Sequence, residues 1–475
     1  MTSNELRRLA ARMIEADRED QALPLLNELL NRDPDDGMAI FMVGTIHSRA
    51  HRHGLAYQFF KRSSELSPDK PQVWAHLGAA VEGIGNPLEA RRLFEKAHLM
   101  DPHHANYVAS IALSYLHNGE HADAIRFAQR ALSMEPGHTG ATTTLGFAQL
   151  ALGNWEEGWK GFEAAHGGMY RMAQDYGLPE WHGEPGCKVI VYGEQGIGDE
   201  IMYGTCLVDA CAISSRVLYD ADHRLYKLFR DSSIVSNLVV QGTRREVEKG
   251  WYNPEEWTHQ CPLGRLPQIF RPTPASCPGT PYLKPNPDLR AMYDALIKRY
   301  DNGKTRVGIC WTGGSRAEDK KKREMTLEAL RPLIEAFSDC AEFFSLEYND
   351  PAAEIKESRL PVHHHNLAVG KGAAYEHTAA YISCMDVIIG IHTAAHHAAG
   401  AMGIPTTVLV PNKPNWIYGK YHGDKWSWYA TARLYRQGER ASWRNCVKAL
   451  TNDESIIRSI RGHTEGNSAA QPRAA

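Results

Sequence analysis

The sequence contains no C-x-x-C pair, and its nine cysteines are scattered and odd in number. Neither a disulfide framework nor a zinc module is therefore expected, and the thiols should sit reduced and mostly buried. No apolar run approaches the ~20 residues that cross a bilayer. The opening stretch MTSNELRRLAARMIEADRED reads as an amphipathic, charged helix without the apolar core of a signal peptide, so a cytoplasmic setting without a membrane span is expected. Charge of one sign is also scarce: a net charge of -3 excludes a chain that coats nucleic acid by charge alone. The run Lys320, Lys321, Lys322, Arg323 remains, either a solvated loop or a contact for phosphates, and leaves a nucleic-acid partner open.

At 475 residues, with 43% hydrophobic and 23% charged residues, the chain is ordinary globular protein of about two to four domains. Its first third is periodic. Pro34, Pro68, Pro102 and Pro136 recur every 34 residues, as do Ala22, Ala56, Ala90 and Ala124, and small residues follow the same register at Ala10, Gly44, Gly78, Ala112 and Gly146. Small residues at fixed helical places let paired helices touch, with large partners such as Phe60, Leu77 and Phe94. This pattern resembles the tetratricopeptide repeat, a helix pair of 34 residues. The series runs down at Gly158, beside Trp155, Trp159 and Phe162, which are expected to pack against the next domain as a terminal repeat must.

Beyond HGEPGC, apolar runs alternate with helical patterns: VIVYG, SRVLYDA, NLVVQG, then RVGICW, AEFFSLE, DVIIGIH and TTVLVP. Alternation predicts parallel sheets with crossover helices, divided by the Pro-rich stretch Thr273 to Asn286 and the helix to Tyr300. Ligands in such sheets bind beyond the carboxyl ends of the strands. The first of these ends, VIVYGEQGIGDEIMYG, is not a known phosphate loop. Gly193 and Gly198 have P-loop spacing, but Asp199 and Glu200 stand where lysine and hydroxyl belong, and Ile201 takes the third place of a dinucleotide fingerprint.

The ordered set PEWHGEP, GEQGIGDEIMY, CPLGRLPQIF with PYL, CWTGGSRAEDKKKREMTLEAL, FFSLEYNDPAAEI, HTAAYISCMDVIIGIHTAAHHAAGAMGIPTTVLVP and WYATARLYRQ, spanning Pro179 to Gln437, resembles the tetratricopeptide-linked glycosyltransferases related to heptosyltransferases. More distantly it is similar to the O-linked N-acetylglucosamine transferases. The resemblance implies an α-helical tetratricopeptide solenoid followed by an α/β GT-B fold, two facing Rossmann-like doubly wound domains. The expected organisation is a solenoid at 1–165, an acceptor-side domain at 166–303, a donor domain at 304–462 and a disordered tail at 463–475. It also implies an inverting glycosyltransferase with a nucleotide-sugar donor and a protein or glycan acceptor, for which the repeat groove is one candidate seat; a catalytically degenerate scaffold, a nucleotide-sugar-binding protein and an enzyme acting on nucleic acid are the alternatives. Two departures bear on the donor and on activity: His392 and His377 stand where the family usually has aspartate.

Thr393 opens a helix after a buried strand, so the first N–H groups at Thr393 and Ala394 and the positive helix end suit a diphosphate. His397, one turn on, and His392, just ahead, are either donor contacts or packing residues. Arg323 matches the family arginine that follows the W-x-G strand end, suited to diphosphate oxygens. Trp311 is a donor-side candidate or a core aromatic, and Glu347 an acceptor for ribose or base or an exposed acid. The run His363, His364, His365 reads as solvated loop rather than metal site. No metal or other cofactor is expected, because helix dipoles and cations serve the leaving group. On the acceptor side the loop Gln195, Gly196, Gly198 carries Asp199, which matches the candidate general base of heptosyltransferases; the competing reading makes Asp199 a helix cap.

Overall fold

The computed structural model describes residues 1–168, 171–242, 252–313, 325–365, 374–419, 423–438 and 442–467. The chain divides into two compact units, Met1–Leu152 and Gly153–Ala475.

The first unit is a solenoid of paired helices: α1 Ser3–Glu15, α2 Glu19–Arg32, α3 Gly37–Arg49, α4 His53–Leu66, α5 Pro71–Gly83, α6 Pro87–Met100, α7 Ala105–His117, α8 His121–Met134 and α9 Thr139–Leu152. Helix starts are specified locally. Thr2 and Glu5 form a capping box on α1, and Asp36 and Asn86 accept backbone N–H bonds at α3 and α6. The small-residue register works by exclusion: a Cβ added to Gly44 or Gly78 would lie 2.8 Å from the ring of Phe60 or Phe94 on the paired helix. Ala22, Ala56, Ala90 and Ala124 are wholly buried. The turn within each pair is left-handed, at Asp17, His51, Gly85, Gly119 and Gly153, with φ of 55°, 54°, 93°, 78° and 88°. Glycine meets this demand at no steric cost, whereas Asp17 and His51 are of the non-glycine types that adopt positive φ more readily than most.

The fifth of these turns leads into α10 (Trp155–Glu163), which keeps the repeat register yet belongs to the second unit. The division therefore falls at Gly153, inside the 1–165 stretch expected to be solenoid. The cause is aromatic packing: Trp155 stacks on Trp428 at 5.5 Å, Trp159 meets Trp416 edge-on at 5.3 Å, and Trp159 Nε1 donates to the Arg271 carbonyl at 2.8 Å.

The second unit holds two all-parallel sheets among the described residues. The strands are β1 Lys188–Tyr192, β2 Arg216–Asp220, β3 Leu238–Gln241, β4 His259–Pro262, β5 Thr305–Cys310, β6 Ala341–Ser345, β7 Val362–His363, β8 Val387–Ile391, β9 Thr406–Val410 and β10 Ala432–Arg436. Their orders are β3-β2-β1-β4 and β10-β9-β8-β5-β6-β7. The seven expected strands are present; β4, β7 and β10 are additions, because HQCP, VH and ARLYR lack the long apolar run that marks the others. β5, β8 and β9 are buried at every residue, as strands covered on both faces must be. Between the sheets runs the helix Pro287–Asp301, with Asn286 accepting from the N–H groups of Asp288 and Leu289. The last helix spans Glu454–Asn467, past residue 462 where a tail was expected to begin, and Ile456 and Ile460 join the core of the six-stranded sheet. No helix among the described residues is long and apolar enough to cross a membrane.

Candidate functional site

Each sheet reverses its winding once. In the first, the chain moves from β1 outward through β2 and β3 and then returns to the other side as β4; in the second it moves from β5 through β6 and β7 and returns as β8. Crevices open beyond the carboxyl ends at such switch points. The β1 end is Gly193–Gln195 and the β8 end is His392–Thr393, so candidates from both halves occupy switch points.

The two ends meet. The helix Ile197–Gly204 follows β1, with Gly196 as its N-cap at φ -78° and ψ 160°, and the helix Ala394–Ala401 follows β8, with Thr393 as its extended N-cap. A Cβ placed on Gly198 would lie 3.3 Å from His397 Cδ2 and 3.5 Å from Ala394 Cα. Gly196, Gly198 and Asp199 are thus brought together with Thr393, Ala394 and His397 around two touching helix N-termini. Asp199 is the third residue of its helix and half-buried, its carboxylate close to Gly196, where an added Cβ would lie 3.2 Å from Oδ2. Gly196, not Asp199, is the N-cap, so the competing cap reading of Asp199 is corrected; a carboxylate in the first turn still answers the helix dipole. Burial pushes the Tyr203 and Tyr429 phenols well up, and the Asp199 charge adds to both shifts. The neighbouring acid is spent on structure: buried Glu200 accepts from Tyr219 Oη at 2.7 Å and Asp222 N at 3.0 Å. Gln195 is half-buried, its Nε2 3.3 Å from Glu194 Oε1.

On the donor side both His392 and His397 are buried, each 4% exposed. His397 lies between two tyrosine hydroxyls, Nδ1 3.1 Å from Tyr429 and Nε2 3.2 Å from Tyr418, with Trp426 beside its ring. It shapes the wall that Gly198 touches, and both nitrogens are engaged. The His392 ring lies 4.7 Å from that of Tyr418. Thr393 Oγ1 is 3.4 Å from His396 Nδ1 and 3.6 Å from Cys310 Sγ, while Ala394 is half-buried against Gly198. Burial pushes the Cys310 thiol up, so it remains protonated.

Trp311 and Glu347 hold a loop. Trp311 is wholly buried in the core of the six-stranded sheet and donates Nε1 to Glu354 at 2.8 Å. Glu347 is buried, which corrects the exposed-acid reading: it accepts from the Trp311 N–H at 2.6 Å, the Thr312 N–H at 2.8 Å and the Thr312 hydroxyl. Burial pushes its carboxyl up against the pull of those donors. Arg323 and the lysine run lie outside the described residues. His377 is half-buried at 3.1 Å from Tyr293 Oη. The run His363 to His365 is half-buried rather than solvated: His363 sits on β7 and pairs with Glu342 at 2.9 Å, and His365 lies 3.0 Å from Tyr381 Oη. Among the described residues no group of three or more His, Cys, Asp or Glu is placed to hold a metal ion.

Sequence reasoning missed an ionic cluster beneath the glycine-rich turn, in which a buried Arg171–Glu194 pair is joined by Arg265 and the partly exposed Glu163 and Glu180. Glu194, Glu180 and Arg265 were in view inside GEQGIGDE, PEWHGEP and CPLGRLPQIF; Arg171 carries no local signal, because its role exists only once the end of β1 lies beside the carboxyl end of α10.

The profile of the family described as anaphase-promoting complex, cyclosome, subunit 3 matches residues 85–165. Protein FlbA of Caulobacter vibrioides is 22% identical over 431 residues, covering 86% of this chain and 71% of that protein. Among solved structures, MamA 41-end from Desulfovibrio magneticus RS-1 is 18% identical over 34% of this chain and 90% of its own, with a TM-score of 0.30. TTC0263, described as a thermophilic TPR protein in Thermus thermophilus, is 20% identical over 34% and 90%, at 0.31. The chain carries an amino-terminal solenoid of paired helices of tetratricopeptide type, followed by a region of parallel sheets.

Proposed function

We propose that the sheet region is a GT-B glycosyltransferase that moves a sugar, with inversion, from a nucleotide-activated donor to an acceptor hydroxyl presented by a partner of the repeats. The observation that supports this reading is the contact of Gly198 with Ala394 and His397, which joins the two switch points. In the proposed reaction the donor diphosphate lies at the amino end of the Ala394–Ala401 helix, where N–H groups and the dipole receive the charge of the leaving group. Arg323 is the proposed cation there, and no metal is called for. Asp199 takes the acceptor hydroxyl's proton as the new C–O bond forms and the bond to the nucleoside diphosphate breaks.

Asp199→Asn keeps size and one oxygen but cannot take the proton. Once a panel of nucleotide sugars has been screened by thermal shift, transfer by this variant is expected to fall ~10²- to 10⁴-fold. The nucleoside diphosphate Kd and the Tm should hardly move. Near wild-type transfer would remove Asp199 as base. A second reading, a nucleotide-sugar-binding scaffold without chemistry, is favoured by the burial of His392 against Tyr418 where the glycosyltransferases that the sequence resembles usually have aspartate. Ligand-induced stabilisation without turnover by wild type would select it.

A further inference from the structure

We infer that Arg171 is a positioning residue that fixes the glycine-rich turn, and with it Asp199, to the last repeat-register helix. The Arg171 and Glu194 side chains are each 1% exposed, with Nε donating to Oε1 at 3.0 Å. Arg171 Nη1 donates to the Phe162 carbonyl at 2.6 Å, its guanidinium lies 4.3 Å from the Phe162 ring centroid, and Glu163 stands 3.6 Å from Nη1. One side chain therefore bridges the carboxyl end of α10 and the second residue of the turn.

The backbone at the start of the turn is held from the same segment. Met172 N donates to the Glu194 carbonyl at 3.2 Å, and Gln174 Nε2 to the Gly193 carbonyl at 3.2 Å. From β4's end, Gly264 N lies 3.2 Å from both Glu194 oxygens, an approach that only glycine permits, since a Cβ there would sit 2.4 Å from Oε1. A buried charge with its partner removed is strongly disfavoured, so the pair holds one geometry. A base must be held within about 0.5 Å of its working position, and Asp199 stands five residues beyond the anchored Glu194, in the first turn of the helix that the glycine-rich turn leads into. Only the consequence for Asp199 rests on the transferase reading; the anchoring itself does not.

The test compares full-length Arg171→Met and Arg171→Lys with wild type by amide hydrogen exchange. Arg171→Met is expected to raise exchange at 193–200 at least ~10-fold while β5 and β8 keep wild-type rates. Arg171→Lys, which retains a cation for Glu194 but loses the second donor to the Phe162 carbonyl, should restore only part of the protection. If Arg171→Met does not fold, Glu194→Gln carries the same measurement. Unchanged exchange at 193–200 in a folded variant overturns the inference. Wild type that turns over none of the nucleotide sugars defeats the transferase reading instead, and leaves the exchange result to decide the anchoring. Where turnover exists, Arg171→Met should lower kcat with nucleoside diphosphate affinity unchanged; loss of affinity with kcat retained would overturn positioning of the base.

Discussion

His396 is wholly buried one turn inside the Ala394–Ala401 helix, next to Thr393 and Cys310, and burial lowers its pKa from 6.5 to about 3. The folded chain keeps the ring neutral, whereas the unfolded chain takes a proton as pH drops below 6.5. The stability that His396 permits is therefore complete above 6.5 and declines towards pH 3. One pH unit in this window is worth about 1.4 kcal/mol, so pH 5 should cost about 2 kcal/mol relative to pH 7. His396→Met should lose less Tm than wild type between pH 7 and pH 5 in scanning calorimetry; equal losses would place the titration elsewhere. At this scale the sequence located residues but not their environments. Trp311, Glu347 and His397 were each readable as ligand contact or packing group, and the choice depends on partners such as Glu354, Thr312 and Tyr418 that only the fold supplies.

Among elements, strands whose burial is two-sided were legible because their apolar runs are continuous, while β4, β7 and β10 were not. The two helix starts were expected on facing domains, but their direct contact was not legible, since nothing in GEQGIGDE or IHTAAHHAAG names the other. Its glycines differ in what they protect. At Gly198 an added Cβ meets His397 at 3.3 Å and Ala394 Cα at 3.5 Å, a tight but yielding contact. At Gly400 it would meet Tyr429 Cγ at 2.4 Å, which displaces the phenol that holds His397 Nδ1. Gly198→Ala should therefore stay within about 1 kcal/mol of wild type, because helical alanine offsets the crowding. Gly400→Ala should cost about 1 to 3 kcal/mol through overpacking. Thermal denaturation of the two variants checks the order; a Gly198→Ala loss equal to that of Gly400→Ala would mean that the helix starts press together more rigidly than their distances imply.

Across the whole chain, the repeat and the compact unit do not share a boundary. The left-handed turn recurs through Gly153, and sequence register alone continues the solenoid into Trp155–Glu163. What assigns that helix to the second unit is Trp416 and Trp428, more than 250 residues away, which local periodicity cannot reveal. The fifth repeat is thus split, its first helix in one unit and its second in the other. This makes α10 a structural part of the sheet region. A chain beginning at Gly153 should fold with a cooperative transition, whereas one beginning at residue 166 loses Trp155, Trp159 and Phe162, all buried. Each large aromatic removed from such a cluster costs ~3 to 5 kcal/mol, and a native unit commonly has only ~5 to 15 kcal/mol to lose. The shorter chain also leaves Arg171 without the Phe162 carbonyl and Glu163. Calorimetry and limited proteolysis of the two chains decide the matter: the shorter should show no cooperative transition and rapid cleavage, and a Tm equal to that of the longer chain would return α10 to the solenoid.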